Sequence, residues 1–191
     1  MARPQNFDTD TVLDRAMDQF WTHGYANTSP AQLAEATGIG KGSLYNTFGS
    51  KRALFDVVLD RYGRFGVSMA EDYLSRPGST RECLREYMRA AVDLDMASPV
   101  RRGCLAANTA AELGGHDAAV AAVLRGIEER IVATMAARID QGRRDGDVDR
   151  SADPNSIASL LFATSTGLRL MAKTNDAAQL YRIIDAALTV L

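Results

Sequence analysis

Apolar residues recur along this chain at steps of three and four, and no run of β-branched residues alternates at step two, so the pattern predicts helices and almost nothing else. Val12, Leu13, Ala16, Phe20 and Trp21 share one face of a first helix that should start after a capping Asp8 and run to His23, where Gly24 stops it. Ser29-Pro30-Ala31-Gln32 opens a second helix: a capping hydroxyl, a proline where its missing N–H costs nothing, and a glutamine placed to reach back to the cap. Thr37-Gly38-Ile39 interrupts that helix after two turns. A third covers about 41–48, Gly49-Ser50 breaks the chain again, and Ser50 caps a long fourth helix. Its stripe is Phe55, Val58, Leu59, Tyr62, Phe65, Met69 and Tyr73, ending before Arg76-Pro77-Gly78.

A second capping box, Ser79-Thr80-Arg81-Glu82, opens a fifth helix that ends near Ser98-Pro99. A sixth is expected over about 101–113, stopping at Gly114-Gly115. The seventh should span about 117–144, with Val120, Leu124, Ile127, Ile131, Met135 and Ile139 on one face. Asp153-Pro154 caps the eighth, which reaches about 173. It carries no charged side chain from 155 to 168, so burial nearly all round is expected, and Ala163 and Gly167 would let another helix approach closely. Either Asn175 or Asp176 caps the ninth, whose stripe is Leu180, Ile184, Leu188 and Leu191. The expected fold is therefore all-α, about nine helices without internal repeats, dividing into a three-helix unit at 1–49 and a helical bundle at 50–191.

With 191 residues, 46% of them hydrophobic, the chain can bury a substantial core. No apolar run approaches the ~20 residues of a membrane span. Met1-Ala2-Arg3-Pro4-Gln5-Asn6 leads into an acidic stretch with no apolar segment of a secretory signal, so a cytoplasmic protein with no membrane partner is expected. Cys83 and Cys104, with His23 and His116, are too few and too scattered for a zinc site or a disulfide framework, and neither metal nor cofactor is expected.

The net charge of −2 argues against indiscriminate coating of nucleic acid. Its distribution changes the picture. From Thr37 to Phe55 the only charged residues are Lys41, Lys51 and Arg52, whereas the first helix carries Asp10, Asp14 and Asp18. A local basic spot on an acidic chain suits site-specific DNA binding. It coincides with the short helix, tight turn and short helix that begin at Ser29. There Gly38 permits the turn, small Ala34 permits close approach, and Leu33, Ile39 and Leu44 pack between the helices. The outer face of the second of these helices offers Lys41, Ser43, Tyr45, Asn46 and Thr47, all able to hydrogen-bond to phosphates or base edges. Lys51 adds a cation at the start of the next helix, where free amides favour an anion.

The stretch Gly24-Tyr25-Ala26-Asn27-Thr28-Ser29, followed over 33–51 by LAEATGIGKGSLYNTFGSK, resembles the N-terminal signature of the TetR family of transcriptional regulators. The resemblance covers Asp8 to about Leu59. It implies an all-α homodimer in which three N-terminal helices bind a half-site of a palindromic operator and the larger domain dimerises and holds a small-molecule inducer. By matching position, Lys41 and Gly42 would face bases, while Ser43, Tyr45, Thr47 and Lys51 would hold phosphates. One departure is Gly40, where the family often carries a capping serine or threonine; glycine caps less tightly.

Beyond the fourth helix the residues carry the reading. Two apolar helices at the end of the chain suit a four-helix dimer interface, with Leu161, Leu168, Leu180, Ile184 and Leu188 as its candidates, or else an intramolecular core. Met69, Tyr73, Tyr87, Met88 and Met135 are expected inside the bundle, as core or as walls of a ligand cavity. Asn108 follows the apolar run Leu105-Ala106-Ala107, and its amide needs a partner, either a ligand or another helix. Cys104 follows Arg101-Arg102-Gly103 at a helix start, where amides and guanidinium groups favour the reactive thiolate; Gly103-Cys104-Leu105 also resembles a branch of TetR-like regulators in which such a cysteine responds to oxidants or electrophiles. The alternative is a small buried hydrophobe, the reading that suits Cys83. The expected function is a sequence-specific transcriptional regulator, a repressor released by a small molecule or electrophile. An all-helical protein-binding adaptor and an enzyme are the rivals, although no nucleophile elbow, phosphate loop or dinucleotide fingerprint is present.

Overall fold

A computed structural model describes residues 7–191; the reading of residues 1–6 as lacking a secretory signal lies outside them. Among the described residues there are nine α-helices and no strand: α1 (Thr9–His23), α2 (Pro30–Thr37), α3 (Lys41–Phe48), α4 (Lys51–Leu74), α5 (Thr80–Ala97), α6 (Leu105–Leu113), α7 (Ala118–Asp145), α8 (Pro154–Met171) and α9 (Ala177–Ala187), closed by a 3-10 turn at Leu188–Val190. No helix among them is long and apolar enough to cross a membrane.

The caps do what the side chains imply. The Asp8 carboxylate accepts from Asp10 and Thr11 N–H, and capping boxes form at Ser29/Gln32 and Ser79/Glu82. Gly38 takes a left-handed conformation (φ 74°) that ends α2 and turns the chain into α3, an angle a side chain would resist. Asp176, not Asn175, caps α9; the Asn175 amide instead donates back to Met171 O at the end of α8.

Two of the expected elements differ. α6 starts at Leu105 instead of 101, because Gly103 (φ 66°) breaks the helical path and lies so close to α8 that a Cβ would meet Arg169 O at 2.8 Å. Cys104 is thereby the N-cap. α8 is not buried all round: only Ala158, Leu161, Ser165 and Leu168 are buried, a single stripe at steps of three and four. The opposite face leaves Leu160 and Leu170 about half exposed, and nothing lies within 4 Å of a Cβ built on Gly167.

Two hydrophobic clusters divide the interior. One joins Val12, Phe20, Leu33, Leu44 and the first half of α4 to Leu105 and Val120. The other joins the second half of α4 to α5, α7, α8 and α9. α4, at 24 residues about 36 Å long, runs through both as a shared rod. Leu161, Leu168, Leu180, Ile184 and Leu188, offered by the sequence as an intersubunit surface, are each no more than 1% exposed within this one chain. They fasten α8 and α9 to their own bundle, so these five side chains are not available to a second subunit.

Candidate nucleic-acid interface and internal cavity

Leu33 and Leu44, both fully buried, hold α2 and α3 together, and this orients the rest of α3 outward. Lys41, Gly42, Ser43 and Asn46 are exposed, with Tyr45 and Thr47 half-buried beside them. A Cβ on Gly42 would meet nothing within 4 Å, so the backbone itself is open to approach there. Gly40 caps α3 without a side-chain bond, and Thr47 Oγ1 donates to Ser43 O at 3.0 Å. The Lys51 ammonium sits 4.3 Å from the centre of the Tyr25 ring, a cation–π contact that fixes it beside α3. Burial, then the nearby Tyr25, raises the Tyr45 phenol above its ordinary value, which keeps it a neutral donor. Lys41, Gly42, Ser43, Tyr45, Asn46 and Thr47 thus lie on the exposed or half-buried part of α3 around the buried Leu44, with Lys51 at the start of α4. Tyr25, the residue between two of them, was legible only as part of the motif.

The carboxylates of α1 do not oppose these residues as free charges. Asp10 and Asp14 pair with Arg61 at 2.7 and 2.9 Å, and Asp18 pairs with Arg102 at 2.6 Å.

A cavity of about 200 Å³ opens within the bundle between α4, α5, α6, α7 and α8. Phe65, Met69, Tyr87, Ile127, Ile131 and Phe162 supply apolar wall, while Tyr62, Cys104, Ser165 and Arg169 supply its polar end. Of the expected interior residues, Met69 and Tyr87 reach the cavity, Met88 and Met135 are fully buried core, and Tyr73 lies outside, with Arg76 stacked 3.8 Å from its ring centre.

The polar end is a connected network. Arg169 donates from Nε and Nη2 to the two oxygens of buried Asp95 at 2.8 and 2.9 Å, and from Nη1 to Tyr62 Oη at 2.9 Å. Tyr62 Oη also accepts from Leu105 N at 3.3 Å and donates to Cys104 Sγ at 3.4 Å; Ala107 N donates to the same sulfur at 3.5 Å. Burial, with Cys104 alongside, holds the Tyr62 phenol far above its usual range, and burial pushes Tyr87 up to about 12. Burial disfavours the Arg169 charge, but Tyr62 and Asp95 more than offset it and its pKa is raised. The cation near Cys104 is therefore Arg169. Arg101 and Arg102, expected to play that part, are spent elsewhere: Arg101 donates to Asn175 O at 3.0 Å, and Arg102 pairs with Asp18 and covers the Trp21 ring. Cys83 is a 2% exposed core residue.

Asp95 and Arg169 escaped the sequence reading, though both gave a signal. Asp95 continues the buried stripe Leu84, Met88, Ala91 on α5, and Arg169 is the first charge after the uncharged stretch of α8. A charge on a buried register needs a partner, and each is the other's. Asn108 does not line the cavity. Its amide donates to Arg102 O at 2.9 Å and accepts from Lys173 Nζ at 3.0 Å, so the partner is protein, tying α6 to the end of α8.

α6 is fastened to the N-terminal unit at both ends. At its start, Trp21 Nε1 donates to Gly103 O at 2.7 Å. Near its end, the Glu112 carboxylate accepts from Tyr25 N at 2.9 Å and Ala26 N at 2.6 Å. Just beyond, Asp117 pairs with Arg52, which holds its carboxyl down to about 2. One short helix thus connects the cavity wall to the turn that carries Tyr25. Among the described residues no group of three or more His, Cys, Asp or Glu side chains could hold a metal ion.

Residues 12–58 match the family described as "Bacterial regulatory proteins, tetR family", and residues 67–188 match "Tetracyclin repressor-like, C-terminal domain". The chain is 30% identical over 190 residues to the HTH-type transcriptional repressor ComR of Escherichia coli, covering 99% of this chain and 90% of that one. It is 31% identical over 197 residues to the uncharacterized HTH-type transcriptional regulator YezE of Bacillus subtilis, covering all of both. Among solved structures, a cysteine mutant of the TetR family transcriptional regulator CifR, complexed with a 26 bp double-strand operator, superposes with a TM-score of 0.88 at 33% identity over 98% of each chain.

Proposed function

The chain belongs to the TetR family of DNA-binding transcriptional regulators, and from that premise we propose that it is a homodimeric cytoplasmic repressor, released from its operator by a compound that enters the cavity. It works by binding and carries out no catalytic step. The observation that carries the DNA reading is the exposed part of α3: backbone and hydroxyl groups flanked by Lys41 and Lys51, with no carboxylate between Thr37 and Phe55. Lys41 and Gly42 face base edges in the major groove, where lysine can read guanine. Ser43, Tyr45, Thr47 and Lys51 hold phosphates and set the register, with Asn46 exposed beside them as a further hydrogen-bonding group. We take residues 1–49 as the DNA-binding unit and 50–191 as the sensing and dimerising unit, with α4 carrying movement between them. The complex of CifR with operator DNA and the naming of ComR as a repressor support this reading.

The dimer surface is the unpacked face of α8, with Leu160, Ala163, Gly167 and Leu170 at steps of three, four and three, joined by Ile183 and Val190 from the end of the chain. Small residues at 163 and 167 allow the two copies of α8 to come close, as a four-helix interface requires. A twofold dimer sets the spacing of its two α3 helices near one turn of DNA, ~34 Å, and a change in that spacing removes one half-site contact. Cys104 lies where occupancy of the cavity meets α6. An adduct on its sulfur would add bulk at the helix cap and end its acceptance from Ala107 N.

Selection of bound fragments from a random DNA pool, followed by a screen for compounds that release the selected site, tests this directly. Recovery of a palindromic site that releases on ligand binding is expected; failure to enrich any sequence would refute the DNA reading. Comparing release by an alkylating electrophile in wild type and Cys104→Ser, with peptide mass analysis, tests the thiol. Equal release in both leaves Cys104 as a packing residue.

A further inference from the structure

We propose that the cavity selects an uncharged molecule about the size of a substituted benzene ring, carrying one hydrogen-bond-accepting oxygen that meets the Tyr62 hydroxyl. The inference rests on the reading of this cavity as the inducer site and adds the chemical class of its occupant.

Size comes first. An apolar cavity of roughly 150 Å³ is enough to hold benzene. At about 200 Å³ this one has room for a ring and a short substituent, in all about nine or ten non-hydrogen atoms. Two apolar side chains, Phe65 and Leu94, line it and are both about half exposed, side chains that a soluble surface would otherwise bury.

Charge decides between classes of ligand. Arg169 is the cation at the polar end, and its charge is already matched by the two-pronged contact to Asp95, which is 3% exposed. A carboxylate ligand would bring a second anion beside Asp95 and surrender its hydration for a guanidinium that is no longer free. An ammonium ligand would face Arg169. Asp95 lies behind Arg169 and does not itself line the cavity; Glu128, the carboxylate that does, stands exposed to water, where it is screened. The remaining hydroxyls on the lining, those of Tyr87, Ser165 and Thr166, are neutral.

The position of the oxygen follows from counting hydrogen bonds. Both acceptor sites of Tyr62 Oη are taken, by Arg169 Nη1 and by Leu105 N, so the phenol has only its proton to offer. At present that proton goes to Cys104 Sγ at 3.4 Å, a weak acceptor. A carbonyl or ether oxygen in the cavity is a better one. Binding would then draw the Tyr62 proton off the sulfur that caps α6, which places the ligand's effect at the start of the helix leading to Tyr25.

The test is calorimetric titration of the purified dimer at neutral pH with three probes of nearly equal size: acetophenone, benzoate and benzylamine. Acetophenone is expected to bind at least about tenfold more tightly than either charged probe, which is at least 1.4 kcal/mol. Tyr62→Phe should weaken acetophenone about fivefold, the scale of one lost hydrogen bond, and Ala91→Leu, which fills the cavity, should abolish it in a protein shown by circular dichroism to be folded. Asp95→Asn should shift the preference toward benzoate by leaving Arg169 unmatched; if that variant does not fold, the other two still decide. Benzoate or benzylamine binding as tightly as acetophenone overturns the proposal. So does acetophenone binding that survives Ala91→Leu, or none up to its solubility. Operator release is read separately: acetophenone bound in the cavity but unable to release DNA would uphold the ligand class and refute the cavity as the inducer site.

Discussion

Glu112→Ala removes the carboxylate by which α6 grips the turn between α1 and α2. Two backbone donors lose their acceptor, Tyr25 N at 2.9 Å and Ala26 N at 2.6 Å. Ala26 is exposed and water replaces the lost partner, while Tyr25 is half-buried and its amide is left less well satisfied. A hydrogen bond to a charged group contributes about 1.5–3 kcal/mol, so one full loss and one mostly rescued amounts to about 2 kcal/mol. For a chain of this length that corresponds to a fall in Tm of about 4–8 °C. The functional effect should be separable from this. α3 and its contacts to α2 are untouched, so ligand-free operator affinity should change by less than about threefold, an effect of well under 1 kcal/mol. The weakening caused by inducer, of the order of 5–150-fold for a coupling of about 1–3 kcal/mol, should shrink toward unity because α6 no longer pulls on the turn carrying Tyr25. Fluorescence anisotropy of a labelled operator, with and without a compound that releases wild type, reads both quantities. A variant that melts lower but releases DNA as completely as wild type would refute Glu112 as the link.

The exposed face of α8 predicts that Leu170→Glu gives folded monomers with weak operator binding, as sedimentation would show, because the side chain is about half exposed in the single chain. Ile184→Glu, at 0% exposure, should instead unfold the protein, so the two substitutions distinguish surface from core by their melting curves. Asp117, held near 2 by Arg52, contributes stability that is complete above about pH 4 and is lost as pH falls toward 2. Asp117→Asn, which keeps a capping side chain, should therefore lower the urea midpoint at neutral pH and converge on wild type in acid; a constant gap would contradict the pairing.

What was legible in the sequence was local. Ser29, Gln32, Gly38 and Ser50 act on their own neighbours within a turn, so α2, α3 and the start of α4 could be placed from residue type and spacing alone. The start of α6 was misplaced because the deciding contact, Gly103 against Arg169 O, joins residues far apart in sequence. α8 misled for another reason: its apolar residues lie on two faces, and composition cannot say that Leu161 packs inward while Leu160 stays open. The same distance in sequence hid the Arg169–Asp95 pair and the Glu112 link, 74 and 86–87 residues apart, whose partners only the fold brings together. Leu180, Ile184 and Leu188 form the stripe that their spacing implies, and all three are buried within this chain. A stripe shows that a helix packs; it does not show against which chain.

The most direct measurement is a titration of a selected operator with wild type, Tyr45→Ala, Lys51→Ala and Lys41→Ala across a range of salt concentrations. Wild type should bind with two protomers per site and a steep salt dependence. Lys51→Ala should weaken binding and lower the salt slope by about one, and Tyr45→Ala should weaken it to the same degree on every site variant. Lys41→Ala should instead relax the preference at particular base pairs, each worth about 1–3 kcal/mol. Binding by all three variants that matches wild type at equal salt would contradict the placement of the DNA on α3.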